Sequence, residues 1–124
     1  MKKEDFVYNE KYKYYEKNYD YLTLIVEEEG IDDSDVLEYA ESMANNYLAN
    51  KEKVENFLLD DRLREVYGND NSDDEILNKI GKPSIQVGED NSCKIMWFDS
   101  KLCQHLITLY VDGNYELFDV TLDG

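Results

Sequence analysis

The chain has 124 residues, the size of one domain that can bury a core without disulfide staples, and 42% hydrophobic residues with eleven tyrosines offset the entropy of ordering. Lys and Arg number 13 against 29 Asp and Glu, a formal charge of −16 that repels a phosphate backbone and argues against direct nucleic-acid binding. No apolar run reaches the roughly 20 residues of a bilayer span, and Met1-Lys2-Lys3-Glu4-Asp5 leads into charge rather than an apolar signal core, so a cytoplasmic protein with no membrane contact is expected.

Residues 6–19 are crowded with tyrosine and charge. Tyr8, Tyr12, Tyr15 and Tyr19 are spaced by four, three and four, which would align them on one helix face, so a short helix is compatible with the Tyr/Lys-rich segment 1–19. Its rings are expected to pack on the body of the domain. Tyr21-Leu22-Thr23-Leu24-Ile25-Val26, β-branched and aromatic and bounded by Glu27-Glu28-Glu29 and Gly30, predicts a strand over 20–28. Asp32, Asp33, Ser34 and Asp35 then supply capping oxygens and negative charge where a helix dipole favours it, so a helix is predicted to begin near Ser34. Val36, Leu37, Ala40, Met43, Ala44, Tyr47 and Leu48 form its apolar stripe.

Asn50 is a candidate cap for a second helix, paired with the first as a hairpin, in which Val54, Phe57, Leu58, Leu63, Val66 and Tyr67 face inward until Gly68-Asn69-Asp70-Asn71. Ser72-Asp73-Asp74-Glu75 has capping-box spacing ahead of Ile76, Leu77 and Ile80, with Gly81 at the stop and Pro83 just beyond. From Ser84 the texture changes to period two: Ser84 to Val87, Cys93 to Phe98, His105 to Val111 and Tyr115 to Leu122. Asp112-Gly113-Asn114 marks a hairpin between the last two runs. The whole predicts a single α+β domain over 1–124: the segment 1–19, a strand plus helices over 20–81, and a β-meander over 82–124. Two to four helices are expected on one face of an antiparallel sheet of four to five strands.

The acid excess is unevenly distributed. Residues 1–20 hold five lysines against five acids, so the rest of the chain carries the whole surplus. Such a surplus keeps a protein soluble and steers basic partners toward it. One cluster lies at the strand-to-helix junction, and its Glu27, Glu28, Glu29, Asp32, Asp33 and Asp35 are the candidate partner-binding residues.

Catalytic patterns are weak. Asp70 to Glu75 lacks the glycine of a calcium loop, and Ser72 with Glu75 already reads as a helix cap. Cys93, Cys103 and His105 could offer three ligands to zinc, or a thiol and its base, with Asp99 nearby, but three candidates do not close a tetrahedron. Cysteine in an apolar strand is more economically a free thiol filling the core. No phosphate-cradling glycine loop occurs among six glycines, and no carboxylate pair is singled out by an apolar setting. Trp97, within Ile95-Met96-Trp97-Phe98, reads as a core residue. A non-enzymatic protein without cofactor or metal is expected.

Three stretches carry a likeness at the level of pattern: the strand Leu22 to Val26 before an acidic helical pair; Ile76 to Ile80 running into Pro83 to Val87; and Trp97, Asp99 and His105-Leu106-Ile107 before Asp112-Gly113. From Leu22 to Val120 their order resembles small acidic bacterial proteins commonly regarded as immunity proteins of polymorphic-toxin gene neighbourhoods. In that family a tryptophan, an acid and a histidine lie close together; here Phe98 follows Trp97, and five residues separate Asp99 from His105. The resemblance implies binding and neutralising a toxin domain, with no catalytic residue. Charge points the same way, because a nuclease-like toxin must carry a basic surface that carboxylates can cover. A phage or mobile-element inhibitor that mimics nucleic acid, of the anti-restriction or anti-CRISPR kind, satisfies the same charge argument. A small enzyme using Cys93, Cys103, Asp99 and His105 is the reading of a different class.

Overall fold

The computed structural model describes residues 1–88, 93–98, 101–102, 106–112 and 116–123. They form an open seven-stranded sheet whose spatial order follows the chain: β1 (Val7–Asn9), β2 (Tyr14–Asn18), β3 (Thr23–Glu27), β4 (Ser84–Val87), β5 (Cys93–Trp97), β6 (Leu106–Val111) and β7 (Leu117–Asp123). Neighbours are antiparallel except β3 and β4, which run parallel with Leu24 opposite Ile85. A parallel pair cannot be closed by a tight turn, and the crossover from β3 to β4 carries α1 (Ser34–Ala49), α2 (Lys51–Leu58), a π-helical turn (Leu59–Leu63), α3 (Arg64–Tyr67) and α4 (Asp73–Ile80). The α+β class stands, but the sheet is larger than the expected four to five strands and mixed rather than antiparallel.

The two extra strands come from the segment for which a helix was compatible. Tyr8 and Tyr15 do share a face, yet as partners across a β1–β2 hairpin, and Tyr15 in turn lies opposite Val26 of β3. Pairing with an already apolar strand satisfies this backbone with contacts a short isolated helix lacks. The hairpin turns where Lys13 adopts φ 59° and Asn9 Oδ1 accepts the Tyr12 N–H at 3.1 Å. The strand expected over 20–28 narrows to Thr23–Glu27.

The helices begin where the local chemistry dictates. Asp33 caps α1, its carboxylate accepting the Asp35 N–H at 2.9 Å. Ser72 and Glu75 form a reciprocal capping box on α4, which ends at Gly81 with φ 77°, a conformation that needs no Cβ. Asn50 stands at the N-cap position of α2 as expected, its carbonyl accepting the Val54 N–H at 3.0 Å, but it supplies no side-chain cap. Its side chain donates back to the Asn46 carbonyl at 2.9 Å rather than capping α2, and it alone separates α1 from α2, leaving no hairpin loop. The π-helical turn inserts an extra residue into the repeat, so Leu59 is buried and Val66 is 48% exposed; Leu48 at the end of α1 is also outside, at 52%.

Side-chain alternation divides the sheet. Leu24, Ile85, Ile95, Leu109 and Val120 lie in register across five strands, all fully buried under the helices, and Trp97 pairs with Ile107 in the same layer. Each such side chain contributes about 1.5–3 kcal/mol of transfer free energy. Both sheet edges are blunted. β1 is three residues long, and on β7 the Val120 N–H donates to Asp61 of the π-helical turn at 3.2 Å. On the face away from the helices, Ile25, Gln86, Lys94, Tyr110 and Asp119 follow one another across the strands, with Thr23, Ser84, Met96, Thr108 and Thr121 in the neighbouring row.

Candidate functional site

The helix-free face carries a groove of ≈ 530 Å³. Period-two alternation places Tyr14, Glu16 and Asn18 of β2 on this face, and the register sets Glu16 beside Ile25 and Asn18 beside Thr23, with Ser84 next along. Ile25 is 1% exposed although it stands apart from the helix-covered core, so it forms an apolar floor. Thr23 Oγ1 donates to Asn18 Oδ1 at 2.7 Å, tying adjacent strands together at the base. Tyr12, delivered by the β1–β2 turn, stacks on Tyr14 with centroids 5.8 Å apart and planes 18° from parallel. Phe98, 51% exposed just past β5, stands by the far end next to Ser84.

The electrostatics of this groove favour a cation. Burial first raises the Tyr14 hydroxyl above its ordinary value, and the neighbouring Glu16 charge adds to that rise; only the Glu16 contribution has a sign that favours a cation. Glu16 has no ion-pair partner among the described residues, and no Lys or Arg lines the groove. The Lys11 ammonium lies 5.1 Å from the Tyr12 centroid, a cation–π contact on the outer ring of the stack. Along the row, Gln86 donates to Glu27 at 3.0 Å.

The six acidic residues singled out in the sequence cluster at the end of β3 and the start of α1, but several have structural partners. Glu27 accepts from Gln86, Glu28 accepts from the Tyr8 hydroxyl, Asp32 pairs with the Lys3 ammonium at 3.2 Å, and Asp33 is the α1 cap. Glu29 and Asp35 are exposed and have no side-chain partner among the described residues. The hydrogen bond to Glu28 is the main reason the Tyr8 hydroxyl is pushed up to about 12.

The chemistry-bearing clusters divide differently. Cys93 lies opposite Val87 and Val111 in the helix-covered layer, and burial pushes its thiol up to about 12, which keeps it protonated and poorly nucleophilic at neutral pH. Asp99, Cys103 and His105 lie outside the described residues, as does the Gly113-Asn114 part of the predicted turn, though β6 and β7 pair antiparallel as expected. The acidic stretch at 70–75 is used structurally: Arg64 is held by Asp60 and Asp73, Lys79 donates to Asn71 at 2.6 Å, and Ser72 with Glu75 caps α4. Among the described residues no group of three potential ligands gathers for a metal, and no helix is long and apolar enough to cross a membrane.

Reading the sequence for function missed Tyr14, Glu16 and Phe98. The available signal was the alternation Tyr14, Glu16, Asn18, hidden because helical spacing drew Tyr12 and Tyr15 into one stripe. No protein-family model matches the chain, and neither a curated protein nor a solved structure matches it.

Proposed function

We propose that this protein is a non-catalytic acidic binding protein that inhibits a basic protein partner by covering its working surface, in the manner of an immunity protein or antitoxin. The carrying observation is the charge left over after internal pairing. Between described residues, ion pairs engage Glu41, Asp32, Asp60 and Asp73, a small part of an excess that brings the chain to −16. A folded domain bears the self-repulsion of such a field at a cost in stability, and what it gains is steering: complementary charge raises association rates by about 10- to 1,000-fold at low salt. The resemblance to small acidic immunity proteins agrees with this reading. In the bound state Glu29 and Asp35 offer unengaged carboxylates, and Glu27, Glu28 and Asp32 add to the same local potential.

The test is affinity capture from the native host, followed by purification of the captured protein and measurement of its activity and association rate against salt. The expected partner is basic, is inhibited at one-to-one stoichiometry, and associates more slowly when Glu27, Glu28, Glu29, Asp32 and Asp35 are all changed to their amides. A neutral or acidic partner, or an association rate indifferent to both salt and those substitutions, refutes the proposal.

A further inference from the structure

We propose that the groove on the helix-free face seats an arginine-bearing extended segment of a basic protein, with the guanidinium lying on the Tyr14 ring and paired with Glu16. This deepens the binding function proposed above and rests on it. The groove volume of ≈ 530 Å³ falls within the range of ligand clefts, about 300–1,000 Å³. Its lining spans adjacent strands, from the Tyr12–Tyr14 stack past Glu16 and Asn18 on β2, over Thr23 and Ile25 on β3, to Ser84 on β4 and Phe98 just past β5, enough surface for a short chain segment.

Three features select arginine. Tyr14 stands in a near-parallel stack with Tyr12, whose ring already receives the Lys11 ammonium, so a flat cation can join the same ladder of rings. Glu16, without an ion-pair partner among the described residues, offers two carboxylate oxygens that match the guanidinium fork, which an ammonium cannot use bidentately. Asn18, Thr23 and Ser84 place amide and hydroxyl groups along the floor for the backbone of the bound segment. A sugar would also stack on tyrosine and bond to amides. A field of −16 concentrates cations, however, and leaves a neutral sugar unaffected.

The experiment is a backbone-amide NMR titration of the whole protein with three probes: N-acetyl-Gly-Arg-Gly-amide, the same peptide with citrulline in place of arginine, and cellobiose. The arginine peptide is expected to shift the amides of Glu16, Ile25 and Ser84 with a Kd on the order of 1 mM, and the uncharged citrulline peptide to bind roughly tenfold more weakly. Glu16→Gln, nearly isosteric, is expected to weaken the arginine peptide by about tenfold. Phe98→Ala, at a half-exposed position that cannot disturb the core, is expected to weaken binding of a longer peptide that reaches the far end. Equal binding of arginine and citrulline, shifts confined to residues 27–35, or cellobiose moving the same amides each overturn the proposal. A captured basic partner that binds wild type and Glu16→Gln equally well overturns the groove while leaving the acidic-binding function standing. The absence of any inhibited basic partner overturns that function instead.

Discussion

The acidic junction can be separated into charge and scaffold by comparing two kinds of substitution. Asp33→Ala removes the oxygen that accepts the Asp35 N–H and leaves the first turn of a 16-residue helix uncapped. An N-cap loss of this kind costs about 1 kcal/mol, and with a urea m-value of about 2 kcal/mol/M the midpoint should fall by about 0.5 M. Changing Glu27, Glu28, Glu29, Asp32, Asp33 and Asp35 together to their amides is a larger chemical change with a smaller expected effect. Asn caps as well as Asp does, and each Gln still presents a carbonyl oxygen to Gln86 or to the Tyr8 hydroxyl. The losses are the exposed, solvent-screened Lys3–Asp32 pair and some favourable charge at the helix N-terminus, offset by relief of repulsion among neighbouring acids. Urea unfolding followed by circular dichroism reads both variants. An amide variant less stable than Asp33→Ala would show that these carboxylates act through their charge in the fold, and the separation of binding surface from scaffold would fail.

Three further outcomes are expected. Cys93, buried and with its thiol pushed up to about 12, should resist iodoacetamide at pH 8 until the chain unfolds in urea; rapid alkylation of the native protein, mapped by peptide mass, would place it outside the core. Asp61→Ala strips the acceptor from the Val120 N–H and should cost about 1 kcal/mol while exposing the β7 edge to self-association, seen as concentration-dependent light scattering. In acid, α4 should loosen. Glu75, bonded by the Ser72 N–H, and Asp73, paired with Arg64, both titrate below their ordinary values of 4.5 and 3.8, so their stabilisation is present above those values and disappears as pH falls through the lower folded ones. Amide exchange of residues 73–80, corrected for its intrinsic pH dependence, should accelerate as pH falls below the ordinary carboxylate range in wild type and less so in Glu75→Gln; identical profiles would remove the carboxylate from the argument.

Chain-local signals were legible and the site was not. Ser72, Glu75, Gly81 and Pro83 bracket α4 in the sequence as they do in the fold, since a cap is a bargain struck within four residues. The same holds for the start of α1 and for the period-two strands after Ser84, whose inward residues Ile85, Ile95, Ile107 and Leu109 are all fully buried. The helical phase beyond Leu58 was not legible, because one extra residue in the π-helical turn rotates Val66 to solvent and Leu59 inward.

The amino-acid sequence by itself determined the α+β class, the helix caps, the C-terminal strands and the acid excess, all of which depend on neighbours a few residues apart or on simple counting. Only the tertiary structure decided that the tyrosine-rich segment is a hairpin, that β3 lies parallel to β4, and that Tyr14, Glu16, Ile25 and Ser84 share one groove. Tyr15 is committed to β structure by Val26, and Thr23 meets Ser84 only after the whole helical crossover has returned to the sheet. Pairings between distant parts of a chain are set by which apolar surfaces bury one another, a property of the assembled layers that spacing within any one segment does not encode.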